Sequence, residues 1–369
     1  MTTDAAKTNL LGLSEDGLKQ LFAALGEKPF RARQLMQWLH QRGVTDFESM
    51  TDLSKSLRQK LAASADIRLP ELLSRHDSSD GTIKWLFGSG KGQAVETVFI
   101  PEANRGTLCI SSQVGCAMDC SFCATGAQGF NRNLDAAEII GQVYHAVREL
   151  PKRADGESVI SNIVLMGMGE PLANYRAVVP VVQLLISDYA YGLSRRRVTV
   201  STSGIVPHVD KLGDDCNVSL AVSLHAPNDA LRNVLVPINK IHPIAELLDS
   251  CWRYAGKHSN RFITFEYVML RDVNDSLQHA DELIALLRGK PAKVNLIPFN
   301  PFPGTQYECS SSRTIHQFQE RLRAKNIVTT TRKTRGDDID AACGQLAGKV
   351  SDRVRVRLGE KKIKAVGDV

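Results

Sequence analysis

The chain has 369 residues, 43% hydrophobic and 23% charged, with 46 Lys and Arg against 40 Asp and Glu, a net charge of +6. These values exclude disordered, collagen-like and membrane-embedded classes, and the length implies two domains or one large α/β barrel with an attachment. The modest positive excess alone only hints at a polyanionic partner. No stretch carries the apolar run of a spanning helix, and the first fourteen residues lack a basic head followed by an apolar segment, so a cytoplasmic protein without membrane contact is expected. Thiols stay reduced there. The eight cysteines therefore read as metal ligands, catalytic thiols or small buried hydrophobes before they read as a disulfide framework.

Residues 1–101 read as a helix-rich accessory module with linking strands. Ser14 is an N-cap for a helix whose apolar positions Leu18, Leu21, Phe22 and Leu25 follow the 3.6 period, with Gly26 closing it. A second helix over 30–42 turns Leu35, Met36 and Leu39 inward and carries Lys28, Arg31, Arg33 and Arg42 outside, with Gly43 as its stop; a third spans 54–63. The period then changes to two. Segments 82–87, 94–100 and 106–111 read as hairpin strands between Gly-rich turns.

From about residue 106, short β-branched runs alternate with longer helical stretches, the signal for repeated βα units and a parallel sheet. Strands are expected at 107–111, 162–166, 197–201, 218–223, 262–268 and 293–298, with helices near 134–150, 174–186, 243–257, 276–288 and 314–325. Six units are too few for a closed eight-stranded barrel, so residues 102–335 read as an α/β partial (βα)6 barrel with functional residues at strand C-termini. Residues 336–369 follow as a C-terminal loop and tail. Between 349 and 364 the tail carries Lys349, Arg353, Arg355, Arg357, Lys361, Lys362 and Lys364 against Asp352 and Glu360. That concentration fits a nucleic-acid footprint or, equally, a solvated end.

Directly after the first barrel strand comes Cys116-Ala-Met-Asp-Cys120-Ser-Phe-Cys123. A structural zinc site wants four protein ligands, and no fourth Cys or His follows at suitable spacing. Three thiolates instead suit a [4Fe-4S] cluster with one iron left open to hold a small molecule and pass it an electron. The second barrel strand ends in Met166-Gly167-Met168-Gly169-Glu170-Pro171, where glycines let the backbone approach a ligand and a carboxylate accepts from an ammonium group. Cys109, in the first barrel strand, and Cys343, in Asp340-Ala-Ala-Cys-Gly344, stand apart from the loop. Cys343 is the better candidate for chemistry, flanked by small residues and preceded by Lys333 and Arg335, cations that favour a thiolate if near in space. Cys216, Cys251 and Cys309 read as structural.

The cysteine loop, its position and the glycine turn resemble radical S-adenosylmethionine (SAM) enzymes. Over nearly the whole chain the resemblance is to the RlmN family of ribosomal and transfer RNA adenine-C2 methyltransferases. It implies a cluster on Cys116, Cys120 and Cys123, with SAM chelating the fourth iron. It also implies a SAM pocket of Gly169, Glu170, Ser201, Ser223, Leu224, His225 and Asn300. Without the resemblance, Ser201 and Asn300 are ordinary turn residues and His225 an ordinary structural hydrogen-bonder.

The resemblance further implies that Cys343 accepts a methyl group from one SAM, and that a 5′-deoxyadenosyl radical from a second removes hydrogen from it. The resulting carbon adds to adenine C2. Release then uses Glu96 as proton acceptor and Cys109 as the thiol that closes a disulfide with Cys343. A carboxylate amid apolar neighbours has its pKa raised by desolvation, which suits Glu96 as a base, although an outward-facing edge-strand Glu is an equally simple reading. Implied partners are 23S rRNA, tRNA and an electron donor such as flavodoxin, acting on a monomer. The alternatives are a Cfr-like enzyme methylating carbon-8, a methylthiotransferase, disfavoured because no cysteine precedes Cys109, and a non-catalytic RNA adaptor whose cysteines hold zinc.

Overall fold

The computed structural model describes residues 7–103, 105–257 and 262–348; the basic tail at 349–364 lies outside them. Strand β1 (Thr8–Asn9) pairs with β2 (Ala65–Asp66) and brackets a small helical module. Helix α1 (Glu15–Ala24) starts where Ser14 Oγ accepts from the Gly17 amide, and α3 (Lys55–Ser64) starts on Ser54 in the same way. Between them α2 (Arg31–Met36) runs on through a wider turn to Gln41, burying Leu35, Met36 and Leu39 before Gly43 turns at φ 71°. Of the apolar positions expected in the first two helices, Leu18, Phe22, Leu35, Met36 and Leu39 are buried, and Leu21 and Leu25 are half-buried.

Among the described residues the main sheet has ten strands. β3 (Leu72–Asp77), β4 (Ile83–Gly88), β5 (Ala94–Glu102) and β6 (Arg105–Cys109) form an antiparallel ladder. After β6 the chain makes a short ribbon, β7 (Gln113–Gly115) with β8 (Phe130–Asn133), separated by a loop and helix α4 (Ala124–Gln128). Helix α5 (Ala136–Glu149) begins with a capping box between Asp135 and Glu138. Next come β9 (Asn162–Leu165), α6 (Tyr175–Ile186), β10 (Val198–Thr202), α7 (Val206–Asp215), β11 (Ser219–Ser223), α8 (Asp229–Leu235) and α9 (Ile244–Gly256). The described chain closes with β12 (Ile263–Met269), α10 (Leu277–Leu287), β13 (Ala292–Pro298), α11 (Ser312–Arg323) and β14 (Val328–Thr331).

Strands β6, β9, β10, β11, β12, β13 and β14 are parallel neighbours in that order. The partial barrel thus has a seventh parallel strand beyond the six expected. β14 reads Val-Thr-Thr-Thr and is half exposed, which is why no apolar run announces it. The barrel is open between β14 and β6, and the β3–β5 ladder continues the same sheet.

The helical module docks on α5. Tyr144 donates to the Gly43 carbonyl (2.7 Å), and Arg148 donates to the carbonyls of Leu39 and His40. A side chain at Gly12 would meet the Ala137 backbone at 2.4 Å, so glycine is what lets the module approach.

Candidate active site

Parallel strands deliver the residues after their C-terminal ends to one mouth. One cavity there is lined by Cys116, Cys120 and Cys123 from the loop after β7, Gly169 and Glu170 after β9, Ser201 on β10, and Ser223 and His225 at β11; Cys109 and Cys343 line it as well.

The cysteine loop has its own local logic. Gly115 (φ 74°) sits where a Cβ would lie 1.9 Å from the Gly129 carbonyl oxygen, which also accepts from the Cys116 amide (3.0 Å). Asp119 turns at φ 54° between Cys116 and Cys120. Gly115→Ala is therefore expected to cost on the order of 1–3 kcal/mol through strain and clash, seen as a lower melting temperature and less iron bound per chain.

Burial, with further contributions from neighbouring thiols, pushes the Cys116 and Cys120 thiols well above their ordinary range. Sulfurs buried in this way are stable as thiolates only beside a cation. Among the described residues, no three His, Cys, Asp or Glu side chains gather around one ion. A cluster does not require that, because each thiolate takes a different iron. The donor set fits.

Glu170 is buried and held rigidly. Its Oε1 accepts from the Leu172 amide (3.0 Å) and its Oε2 from the amide (2.7 Å) and hydroxyl (2.8 Å) of Ser203, while burial raises its pKa. Gly169 has φ 97°, and a side chain there would press on Gln113, whose Oε1 takes the Glu170 amide at 2.8 Å. His225 accepts from the Val268 amide on Nδ1 (3.0 Å), leaving the proton on Nε2, and burial lowers its pKa to about 3. It lines the cavity as a neutral ring, edge-on to Phe122 at 4.6 Å.

Three expected residues stand outside the cavity wall. Leu224 is fully buried and touches the site only through its backbone, donating to the Glu266 carbonyl (3.1 Å). Asn300 lines a small adjoining pocket with Cys343 and donates from Nδ2 to the Cys343 carbonyl (3.2 Å). Glu96 is the third. It lies on β5, an interior strand, and is buried, so it is not an outward edge residue. Nor are its neighbours only apolar: Lys84 Nζ lies 3.2 Å from Oε1, and Oε2 accepts from the Ala347 amide (2.9 Å). Val98, two residues on, pairs with Cys109 across the ladder, so Glu96 and Cys109 share the inward face.

Residues 336–348 form a strap across the mouth. Arg335 and the Gly336 amide reach Asp80, Asp338 accepts from Ser78 and Ser79, and Lys84 donates to the Asp340 carbonyl. Further along, Ala124 N–H meets the Gly344 carbonyl (2.9 Å) and Gln345 donates to the Pro301 carbonyl (3.0 Å). The strap fixes Cys343 above the cluster loop.

Two site residues carried no sequence signal. Arg332, just after β14, and Glu266, on β12, both line the cavity. Cys343 is the strongest charge partner of Arg332, followed by Glu266 and Cys109. The cation beside Cys343 is thus Arg332, not Lys333 or Arg335; the latter is turned to Asp80. Enclosure raises the Cys343 thiol, Arg332 opposes that rise, and burial together with Cys343 pushes Cys109 up to about 12.

An open parallel barrel with three thiols and a glycine–carboxylate turn at its mouth defines a radical SAM enzyme, and residues 110–284 match the radical SAM superfamily model. Residues 8–67 match the ribosomal RNA large subunit methyltransferase N-terminal domain. The chain is 56% identical, over 98% of its length and 98% of the relative's, to a dual-specificity RNA methyltransferase RlmN of Francisella tularensis subsp. novicida. A solved radical SAM methyltransferase from Sphaerobacter thermophilus is 45% identical, with 92% of this chain and 99% of that one covered at a TM-score of 0.83. The chain belongs to the RlmN family of radical SAM RNA methyltransferases, enzymes that use a [4Fe-4S] cluster and SAM. The zinc-adaptor and methylthiotransferase readings fall with that membership. No helix among the described residues is long and apolar enough to cross a membrane.

Proposed function

We propose that this enzyme methylates carbon-2 of adenosine in the peptidyl-transferase region of 23S rRNA and in tRNA just 3′ of the anticodon, working in the cytoplasm as a monomer with a flavodoxin-like electron donor. The observation that carries this reading is the convergence of Cys343 and Cys109 with the three-cysteine loop on one cavity. The two RNA classes draw support from the dual specificity in the relative's name.

In this reading Cys116, Cys120 and Cys123 hold the cluster, and Gly169, Glu170, Ser201, Ser223, Leu224, His225 and Asn300 shape the SAM site. When bound, the cluster supplies one electron to SAM and an open iron for its amino and carboxylate groups. Cys343 attacks the methyl group of a first SAM by direct displacement, its electron pair forming the new carbon–sulfur bond as the methyl–sulfonium bond breaks and S-adenosylhomocysteine leaves, with Arg332 favouring the thiolate. Adenine C2 has no lone pair with which to take a methyl cation. The one-carbon unit therefore has to arrive as a carbon radical, held in place by the Cys343 sulfur. Addition crosslinks base to protein. The adduct has one electron to lose, which the oxidised cluster, when bound, would take back; Glu96 would take the C2 proton, and the Cys109 thiolate would attack the Cys343 sulfur, so that the disulfide forms as the carbon–sulfur bond breaks, its electron pair staying on the carbon, which takes up a proton to become the methyl group.

Cys109→Ala is expected to permit crosslinking and stall release, so RNA covalently attached to protein accumulates on denaturing gels; free methylated RNA at the wild-type rate would contradict the role. Arg332→Met is expected to slow methylation of Cys343 by about tenfold or more, read by mass spectrometry of the protein. Because the Cys343 thiol lies above its ordinary range, that methylation should accelerate as pH rises, the thiolate being the minor form at neutral pH. A rate independent of pH between 6 and 9 would contradict it.

The accessory module supplies RNA contacts. Arg33 pairs with Glu15 (2.9 Å), Arg42 lies over Trp38 at 4.0 Å, and Arg31 donates to Gln34 (2.7 Å), so all three are pre-positioned by neighbours. Such phosphate binding falls steeply with salt. Nucleoside mass spectrometry after reaction tests the regiochemistry: 2-methyladenosine is expected, and 8-methyladenosine alone would assign the Cfr-like activity instead.

A further inference from the structure

Arg232 on α8 is completely buried. Its guanidinium donates to the carbonyls of Leu224 (Nε, 3.1 Å), Ser203 (2.6 Å) and Ser223 (3.2 Å) and to Asn239 Oδ1 (2.8 Å), all neutral acceptors. Among the described residues no carboxylate lies within ion-pair distance of it; Asp229 reaches it only through Asn239, whose Nδ2 donates to Asp229 Oδ1 (2.8 Å). A buried cation without a counter-charge is expensive, and a buried arginine is ordinarily paired. Something else offsets it.

The missing anion is close by. Three residues further along the same helix, the Leu235 carbonyl accepts from the Ser121 amide (3.2 Å), which fastens α8 to the cysteine loop right beside Cys120. Positions three apart share a helix face. Cys120 is the strongest anionic partner Arg232 has, ahead of Asp229 and Cys251. A cluster bound through three thiolates carries net negative charge, and taking up an electron makes it more negative.

We infer that Arg232 is a positioning residue for electron uptake: its unpaired guanidinium, fastened to the ends of β10 and β11 and carried on a helix whose backbone is tied to the cysteine loop, is the built-in counter-charge that raises the reduction potential of the bound cluster. The inference rests on Cys116, Cys120 and Cys123 holding that cluster. Electron uptake is one electron from a low-potential reductant, with no bond made or broken in the protein. The same four hydrogen bonds tie the Ser203 and Ser223 loops together, so one side chain both shapes the SAM pocket and sets the field beneath it.

The test is an anaerobic redox titration of the reconstituted full-length protein with dithionite, followed by electron paramagnetic resonance, for wild type, Arg232→Lys, Arg232→Gln and Arg232→Met. At the wild-type midpoint, the reduced-to-oxidised ratio is expected to fall about tenfold in the Gln and Met variants, 59 mV for a one-electron couple, and to stay near one in Arg232→Lys. Unchanged midpoints in neutral variants that fold and bind iron would overturn the inference, leaving a purely structural arginine. Should neither neutral variant fold, Asp229→Asn decides. Asp229 is exposed, and an Asn carbonyl oxygen can still accept from Asn239, so the variant keeps the local bonds while leaving Arg232 less compensated. Its midpoint is expected to rise, and an unchanged one would overturn the inference. Wild-type protein that binds no iron at all would instead refute the cluster assignment.

Discussion

Cys343→Ala is expected to lose RNA methylation by about 10⁴-fold or more, the scale seen when a covalent nucleophile that works as a unit with its partners is removed. The cost is total because no other sulfur can substitute. Cys109 lines the same cavity but is fixed within β6 and has its thiol pushed up to about 12. Cys343 alone is carried on a strap across the mouth with Arg332 as its nearest counter-charge. Iron content should be unchanged, since Cys343 lies outside the three-cysteine loop. A variant that lacked methylation because it lacked iron would point to misfolding of the strap, and retained methylation would remove Cys343 as the methyl carrier.

Cys116→Ala is the second large effect, and it is expected to abolish every step that needs the cluster. Two thiolates cannot keep three irons ligated, and the loop's geometry leaves no replacement: Cys251 and Cys216 are buried within α9 and directly after α7. Iron per chain should drop to background, the brown absorbance should vanish, and 5′-deoxyadenosine should no longer form. Methylation of Cys343 itself should vanish only so far as SAM binding needs the open iron. Residual 5′-deoxyadenosine at more than about a hundredth of wild type would mean that another side chain completes the site.

How legible all this was depended on sequence distance. The cysteine loop is local, eight residues from Cys116 to Cys123, and its spacing alone suits a cluster with one iron left open. The barrel strands were legible because burial on both faces demands apolar runs such as Leu-Ala-Val in β11. β3, exposed along its length, and β14, a polar edge strand, show no such pattern and were missed. α7 was missed too; it is short and carries a proline at its start and Gly213 near its end. The roles expected of Glu96 and Cys109 came from resemblance, whereas Cys343 also stood out by its small neighbours. Arg332, Glu266 and Arg232 were not legible, because a lone charged residue in a strand or helix reads as solvated surface until the fold brings it inside.

Glu96 shows the same limit from the other side. A glutamate in an apolar strand predicts an isolated carboxylate, and only the folded chain brings Lys84 and the Ala347 amide to it. Its contact with Ala347 ties the proposed proton acceptor to the strap that carries Cys343, two groups far apart in sequence.

The central claim is that one sulfur carries the one-carbon unit and a radical moves it. The most direct measurement is the product balance of an anaerobic reaction with SAM, reductant and RNA. The account predicts S-adenosylhomocysteine and 5′-deoxyadenosine formed together, one of each for every 2-methyladenosine. Methylated RNA accompanied by S-adenosylhomocysteine and no 5′-deoxyadenosine would contradict it.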